Sequence, residues 1–366
     1  MIRILFLGVV AVHGLIHCMG FIKAIRPEKI PQMAQHIARP VGLLWLSAAL
    51  LFACTAALFL LRKDWWWMAA VPALVLSQPL IIMSWKDAKF GTIANVLICA
   101  AAVVAYGNWR FSSMTARELA LLVPDPAERP VIITDDMLSG LPPVVRRWLV
   151  RSNVSGKVMT RIVHLAQSGR MRNSPDGKWT NVEAEQWFNA EHPGFIWRAD
   201  VSMAPGVFLA GRDRYLNGKG QMLIKLLSLF PVAESSGPEA DQGTLLRYLA
   251  EIVWFPSAAL RNYIRWRQVD MTTAEATMTY GGVTASGVFT FDVNGDMTKF
   301  EAKRYYYRPE GATLEDWMIQ VEPNGYREFE GVRVAARASA TWRLKEGDFT
   351  WYRLEVTDIR YNEAPR

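Results

Sequence analysis

Cysteine is almost missing from this chain: 3 residues in 366, and all of them, Cys18, Cys54 and Cys99, fall inside long apolar runs. Everything after Trp109 therefore has no disulfide framework and no thiol chemistry, and the redox compartment stays undetermined. Histidine is nearly as scarce, with 5 in the chain. Only His164 and His192 lie beyond the apolar N-terminal part, without HxxxH, HExxH or CxxC spacing, so a zinc enzyme is not expected. No GxGxxG or GxxxxGK[ST] loop is present to cradle a phosphate, and GxSxG is absent. Ser168-Gly169 and Ser236-Gly237 lack the strand-to-helix setting of a nucleophile elbow. An acidic balance is lacking too: 41 Lys and Arg against 34 Asp and Glu leave a net charge of +7. The basic residues are scattered among acids and form no helix-turn-helix, zinc-finger or RNA-binding signature, so nucleic acid is not an expected partner. Attraction to anionic lipid headgroups explains the charge more economically.

What the chain has in abundance is apolar length. Ile4 to Ile22, Val41 to Leu61 and Trp65 to Met83 each reach the roughly 20 residues a spanning helix needs, and Thr92 to Trp109 is a shorter fourth run. The first run carries His13, His17 and Cys18 and is followed by another span, so it is read as a retained helix rather than a cleaved signal. Trp65-Trp66-Trp67 after Arg62-Lys63-Asp64, Trp85 before Lys86 and Trp109 before Arg110 sit as interfacial anchors. The Lys23 to Arg39 loop is the densest basic segment, which places it in the cytoplasm and the large C-terminal domain outside it. An integral protein of a bacterial cytoplasmic membrane is expected, with the bilayer as its first partner.

After Trp109 the pattern changes. Pro124, Pro126 and Pro130 mark a linker over residues 111–133, too broken for a long helix. Thr134-Asp135 caps a short helix, and Val144 to Val150 reads as an amphipathic one. Residues 134–366 form a soluble β-rich domain, in which the period changes to two beyond that helix: Phe195, Trp197, Ala199, Val201 and Met203 alternate with Arg198, Asp200 and Ser202. Asp176-Gly177, Asn217-Gly218 and Asn294-Gly295 are hairpin turns, and Val283 to Val293, Thr298 to Tyr307, Val334 to Leu344 and Phe349 to Ile359 are further strands. The expected fold is a four-helix membrane anchor (residues 1–110) followed by one large curved antiparallel sheet or half-barrel of ten or eleven strands. Residues 243–262 interrupt it with a helix, a break at Trp254-Phe255-Pro256 and a second short helix, placed to cover the sheet's open face.

His13 to Phe21 (HGLIHCMGF), Ser84 to Asn95 (SWKDAKFGTIAN), Leu141 to Leu149 (LPPVVRRWL), Ser236 to Pro256 (SGPEADQGTLLRYLAEIVWFP) and Ala340 to Leu344 (ATWRL) carry a resemblance. Through them nearly the whole chain resembles an uncharacterised family of bacterial membrane proteins known only as a domain of unknown function. That resemblance implies no activity. Val334-Ala335 departs from the family's pattern, where a proline is common before the last hairpin. In order of elements the chain is also similar to the periplasmic lipoprotein-carrier fold, a curved sheet closed by helices over an apolar face, which is a likeness of fold alone.

Candidate chemistry divides into four groups. His13 and His17, four residues apart on one helix face, could ligate a metal or haem, but too few further ligands accompany them and interhelical hydrogen bonding is the favoured role. Asp87 between Lys86 and Lys89 reads as an interfacial turn. Arg247 and Glu251, one helical turn apart near Asp241, form either an ordinary ion pair or the polar part of a site. The aromatic surplus is mostly core, with a subset lining an apolar cavity. The leading expectation is an envelope protein whose β domain binds a hydrophobic or lipid-like ligand. Trp197, Phe208, Trp254, Phe255, Phe289 and Phe291 would contact its apolar part, with Asp213, Arg247, Glu251 or Tyr305 at its polar end. A membrane hydrolase or transferase using Glu251 with Arg247 or Asp241, and a partner-binding scaffold, are the alternatives. No cofactor or metal is expected.

Overall fold

The apolar runs fold as helices, although not with the relative lengths the sequence suggests. The computed structural model describes residues 2–31, 33–123 and 129–363. Helices α1 (Ile2–Ile25), α2 (Arg39–Leu60), α3 (Trp67–Met83), α4 (Trp85–Ala88) and α5 (Gly91–Ala120) follow one another. Among them α1, α2 and α5 are long and apolar enough to cross a membrane, with 24, 22 and 30 residues. The expected span Trp65 to Met83 is instead 17 residues with Pro72 and Pro79 inside it, about 25 Å of helix against a hydrocarbon core of about 30 Å. The expected short fourth run is the longest helix, because no proline interrupts it before Pro124. The linker reading is corrected for the same reason: Ser112 to Ala120 is helical, and Pro124 and Pro126 lie outside the described residues. α1 and α2 approach closely at glycines: a Cβ on Gly20 would lie 2.4 Å from the Trp45 ring, and one on Gly42 would lie 2.3 Å from Ala24 Cβ. These helices, up to Met114 and with Leu227–Leu229, form one compact unit.

A second unit comprises Thr115 to Leu226 and the chain from Phe230 onward. Two short helices, α6 (Asp135–Ser139) and α7 (Pro143–Arg151), precede the strands. Six strands then run as an antiparallel meander: β1 (Ile162–Met171), β2 (Thr180–Asn189), β3 (Gly194–Ala204), β4 (Val207–Leu216), β5 (Lys219–Leu226) and β6 (Phe230–Ser236). Helix α8 (Pro238–Glu251) and the helical turns Ile252–Trp254 and Pro256–Leu260 follow. A second series comprises β7 (Ile264–Gln268), β8 (Thr273–Tyr280), β9 (Val283–Phe291), β10 (Met297–Arg308), β11 (Gly311–Val321), β14 (Arg337–Leu344) and β15 (Gly347–Tyr361). Between β11 and β14 the chain leaves the sheet to form a separate ribbon of β12 (Tyr326–Phe329) and β13 (Val332–Ala335). The expected single strand Val334 to Leu344 is thus divided at Ala336.

The 13-stranded sheet has the order β6-β5-β4-β3-β2-β1-β15-β14-β11-β10-β9-β8-β7. Its two halves join where β1 pairs with β15, from Val163 opposite Tyr361 to Met171 opposite Tyr352. Its free edges are β6, which contains Pro231 and a register shift against β5, and the five-residue β7, which carries Arg265 and Arg267.

α8 connects these two edges and touches β4, β5 and β6 of one half and β8, β9 and β10 of the other. In a flat sheet β5 and β9 would lie about 43 Å apart at the usual strand spacing, so one helix reaches both only because the sheet curls into a half-barrel around it. The curl brings two hairpin tips together at one end. Asn217-Gly218, both at positive φ, turn between β4 and β5 as the sequence indicates, and a Cβ on Gly218 would lie 2.7 Å from Gly281 Cα in the β8–β9 turn. Tyr215 Oη donates to the Tyr280 carbonyl at 3.4 Å beside this contact.

Candidate functional site

Between α8 and the concave face of the sheet lies a cavity of about 570 Å³, within the usual range for small-molecule sites. Its walls come from alternate, inward-facing positions of neighbouring strands: Trp197, Ala199, Val201 and Met203 of β3, Leu209, Gly211 and Asp213 of β4, and Met222 and Ile224 of β5. Trp317, Ile319 and Val321 of β11 and Tyr352 and Leu354 of β15 continue the wall, and Arg247, Ala250 and Glu251 of α8 with Trp254 close it. Strand alternation supplies the apolar inner face, and α8 adds a polar group each time its turn faces inward.

Those polar groups form one connected network. Arg247 Nη1 donates to Asp213 Oδ2 at 2.6 Å, and its Nε donates to Glu251 Oε1 at 2.7 Å. Its guanidinium also lies 5.0 Å from the Phe195 ring centre and 5.2 Å from that of Trp197. Gln186 Nε2 donates to the other Glu251 oxygen at 2.7 Å, and Trp197 Nε1 donates to Gln167 Oε1 at 3.1 Å. Burial alone would depress the Arg247 guanidinium, but Glu251 and Asp213 together outweigh it and hold it above the usual arginine range. Burial lifts the Glu251 carboxyl above the usual carboxylate range despite Arg247 and Gln186, since it shares one arginine with Asp213 and feels that second carboxylate.

A second arginine enters the same cavity on different terms. Arg304 of β10 lies over the Trp317 ring at 4.7 Å and the Trp342 ring at 5.7 Å. Among the described residues it makes no ion pair or hydrogen bond. Burial, with Arg247 nearby, pushes it down to about 10. Four buried polar atoms of the cavity-lining residues also have no hydrogen-bond partner among the described residues: Asp213 Oδ1, Trp317 Nε1, Trp351 Nε1 and Arg212 Nε, the last of which is ion-paired with Glu118 at 3.1 Å.

Of the residues singled out in the sequence, the cavity brings together Trp197, Asp213, Arg247, Glu251 and Trp254. The others lie elsewhere. Phe255 is fully buried against Phe188 and Tyr248, at ring separations of 4.7 and 5.6 Å. Phe289 and Phe291 are fully buried against Trp148 of α7, 6.2 and 5.7 Å away, in solid core. Phe208 and Tyr305 alternate with the inward residues Leu209 and Arg304 and fall on the sheet's other face. Asp241 is bound to Lys219 Nζ and to the Gly220 amide, each at 2.8 Å, and pins the start of α8 to β5 rather than reaching the cavity. His164 stacks on Trp187 at 4.8 Å beside Glu185.

In the helical unit, His13 Nε2 pairs with Asn95 Oδ1 at 2.9 Å, and His17 Nε2 with Ser77 Oγ at 2.8 Å. Among the described residues no group of three His, Cys, Asp or Glu is placed to hold a metal. Gln167, Gln186 and Arg304 belong to no motif in the sequence, and nothing there distinguishes Trp317 and Trp351 from core aromatics. The one signal for Arg304 was parity, since Phe300, Ala302 and Tyr306 at even spacing from it all face the core.

No curated protein matches the chain. Among solved structures it is similar to a putative outer membrane lipoprotein-sorting protein domain from Vibrio parahaemolyticus, with 12% identity over 61% of this chain and 92% of that one, at a TM-score of 0.33. It is also similar to a DUF1329 family protein from Desulfovibrio piger, with 8% identity over 64% of this chain and 96% of that one, at a TM-score of 0.29. Residues 131–354, from just before α6 to the cavity-lining part of β15, match the family of unknown function DUF6544, and the chain belongs to that family.

Proposed function

We propose that the β-rich unit binds a hydrophobic or lipid-like molecule in the cavity under α8, and that the N-terminal helices hold it at a bilayer. The cavity carries this reading: about 570 Å³ of space with apolar walls, covered by a helix that crosses from one sheet edge to the other. Three helices of 24, 22 and 30 apolar-rich residues support the bilayer part. In this reading residues 1–110 are the anchor, residues 134–366 face water, and the Lys23 to Arg39 loop lies on the cytoplasmic side. An acid–base role for Glu251 has less support, because both its oxygens already accept hydrogen bonds from Arg247 and Gln186 and Asp241 is engaged elsewhere. A scaffold reading, which rests on a flat aromatic face, has less support than a concave one.

Gly211 provides the test. A Cβ there would meet only Trp197 Cζ3 at 3.6 Å and the Ala199 carbonyl at 3.8 Å, so Gly211→Phe fills the cavity without forcing the backbone. The full chain in phosphatidylcholine nanodiscs should bind tritiated oleyl alcohol saturably above protein-free discs. Gly211→Phe should abolish that binding while leaving the unfolding temperature within a few degrees. Equal binding by both proteins would refute the reading.

A further inference from the structure

Four arginines line the cavity; Arg172 donates to the Thr350 carbonyl and Arg212 to the Gln221 carbonyl, and the surroundings of the other two, Arg247 and Arg304, differ in kind. Arg247 has a carboxylate on each side. Arg304 has the faces of Trp317 and Trp342, and no carboxylate within ion-pairing distance among the described residues. Removing a cation from water without a counter-ion costs free energy, and aromatic faces offset only part of it. Next to this guanidinium the Trp317 indole N–H is buried without an acceptor. Both groups are donors, and both belong to the cavity wall. Asp213 Oδ1 is an acceptor without a partner, but the other oxygen of that carboxylate already binds Arg247. A donor pair of one cation and one N–H in an apolar cavity matches an oxyanion attached to a hydrocarbon chain.

Building on the ligand reading above, we propose that Arg304 and the Trp317 indole N–H form the head-group site of this cavity, and that its ligand is a single-chain amphiphile ending in a carboxylate or phosphate. The hydrocarbon chain lies along Val201, Leu209, Met222 and Ile224, and the oxyanion replaces the counter-ion that Arg304 lacks. Arg247 keeps its two protein carboxylates and takes no part in holding the head group.

The test uses the full chain in phosphatidylcholine nanodiscs at mildly alkaline pH, with oleate, oleyl phosphate and oleyl alcohol as probes of one chain length and three head groups. Oleate or oleyl phosphate should bind about tenfold or more tighter than the alcohol, the size expected of a charge-assisted contact. Arg304→Gln should reduce the anions to the affinity of the alcohol and leave the alcohol unchanged. Trp317→Phe, which keeps the ring beneath Arg304 and removes the N–H, should give a smaller loss confined to the anions, and it serves where Arg304→Gln does not fold. Equal wild-type affinity for all three probes, or an anion preference that survives Arg304→Gln, would overturn the head-group site while leaving the cavity a ligand site. Failure of every amphiphile to bind saturably would remove the ligand reading itself. Inorganic phosphate that binds through Arg304 when no amphiphile does would assign the position to a free anion and overturn the proposal.

Discussion

Both units of the protein bury a polar cluster in apolar surroundings, and the two clusters are built on opposite principles. Among the helices, Asn95 donates to Ser77 at 3.0 Å and to Gln78 at 2.9 Å, and pairs with His13, while His17 takes Ser77. Every polar side chain named in that group has a partner on another helix, and no carboxylate or guanidinium is among them. In the sheet, Arg247, Asp213, Glu251 and Arg304 are all ionisable, and two wall indoles and one carboxylate oxygen have no partner. A neutral, closed network fixes helix register and needs nothing more. A charged, open one is stabilised by whatever completes it, and this contrast separates a structural polar cluster from a candidate binding one.

The largest expected effect tests whether the sheet cluster is held together by Arg247. Arg247→Met leaves Asp213 and Glu251 as uncompensated buried carboxylates and should cost about 3–5 kcal/mol in denaturant unfolding of the full chain. A loss below about 1 kcal/mol would mean the cluster is solvated and the contrast is false. Next is the helical cluster: Asn95→Leu breaks one neutral network in several places and should cost about 1–2 kcal/mol by titration with SDS in mixed micelles.

A smaller effect depends on pH. Because burial raises the Glu251 carboxyl above its unfolded value, the folded protein keeps that proton to higher pH than the unfolded chain does. Its contribution to stability therefore falls as pH rises from the ordinary carboxylate range through the raised value, then levels off. Glu251→Gln lacks this decline, so over that window the stability difference should move in the variant's favour, and a difference that stays constant with pH would contradict the assignment. Smallest is Arg304→Met: losing a cation that has no counter-ion should change stability by less than about 1 kcal/mol in either direction. Two arginines in one cavity would then differ severalfold in structural importance.

The parts of this arrangement that were legible in the sequence were the local ones. The alternation from Phe195 to Met203 marked a strand whose inward residues, from Trp197 on, now line the cavity, and Asn217-Gly218 announced the β4–β5 hairpin. The Arg247 to Glu251 spacing announced an ion pair, though not the Asp213 that completes it from β4. What stayed hidden was long-range. Phe289 and Phe291 alternate as regularly as Trp197 does, and long-range packing, with Trp148 of α7 and with Trp266 and Phe300 against Phe289, turns their stretch of the inner face into solid core. Tyr305 and Arg304 differ by one position, which in a strand decides the face. Helix lengths misled for a related reason: hydropathy follows composition, whereas α5 continues past its apolar part to Glu118, which is buried and paired with Arg212 at 3.1 Å and Arg214 at 2.8 Å.

The sheet's two free edges bear on how the protein behaves in company. A half-barrel, unlike a closed barrel, leaves rows of backbone donors and acceptors on its last strands, which can template strand addition from another chain. Here β6 breaks its row with Pro231 and a register shift, and β7 is only five residues long with Arg265 and Arg267 exposed on it. Proline on one side and brevity with positive charge on the other discourage copies from stacking edge to edge, so the sheet can stay an open half-barrel with little tendency to fibrous aggregation.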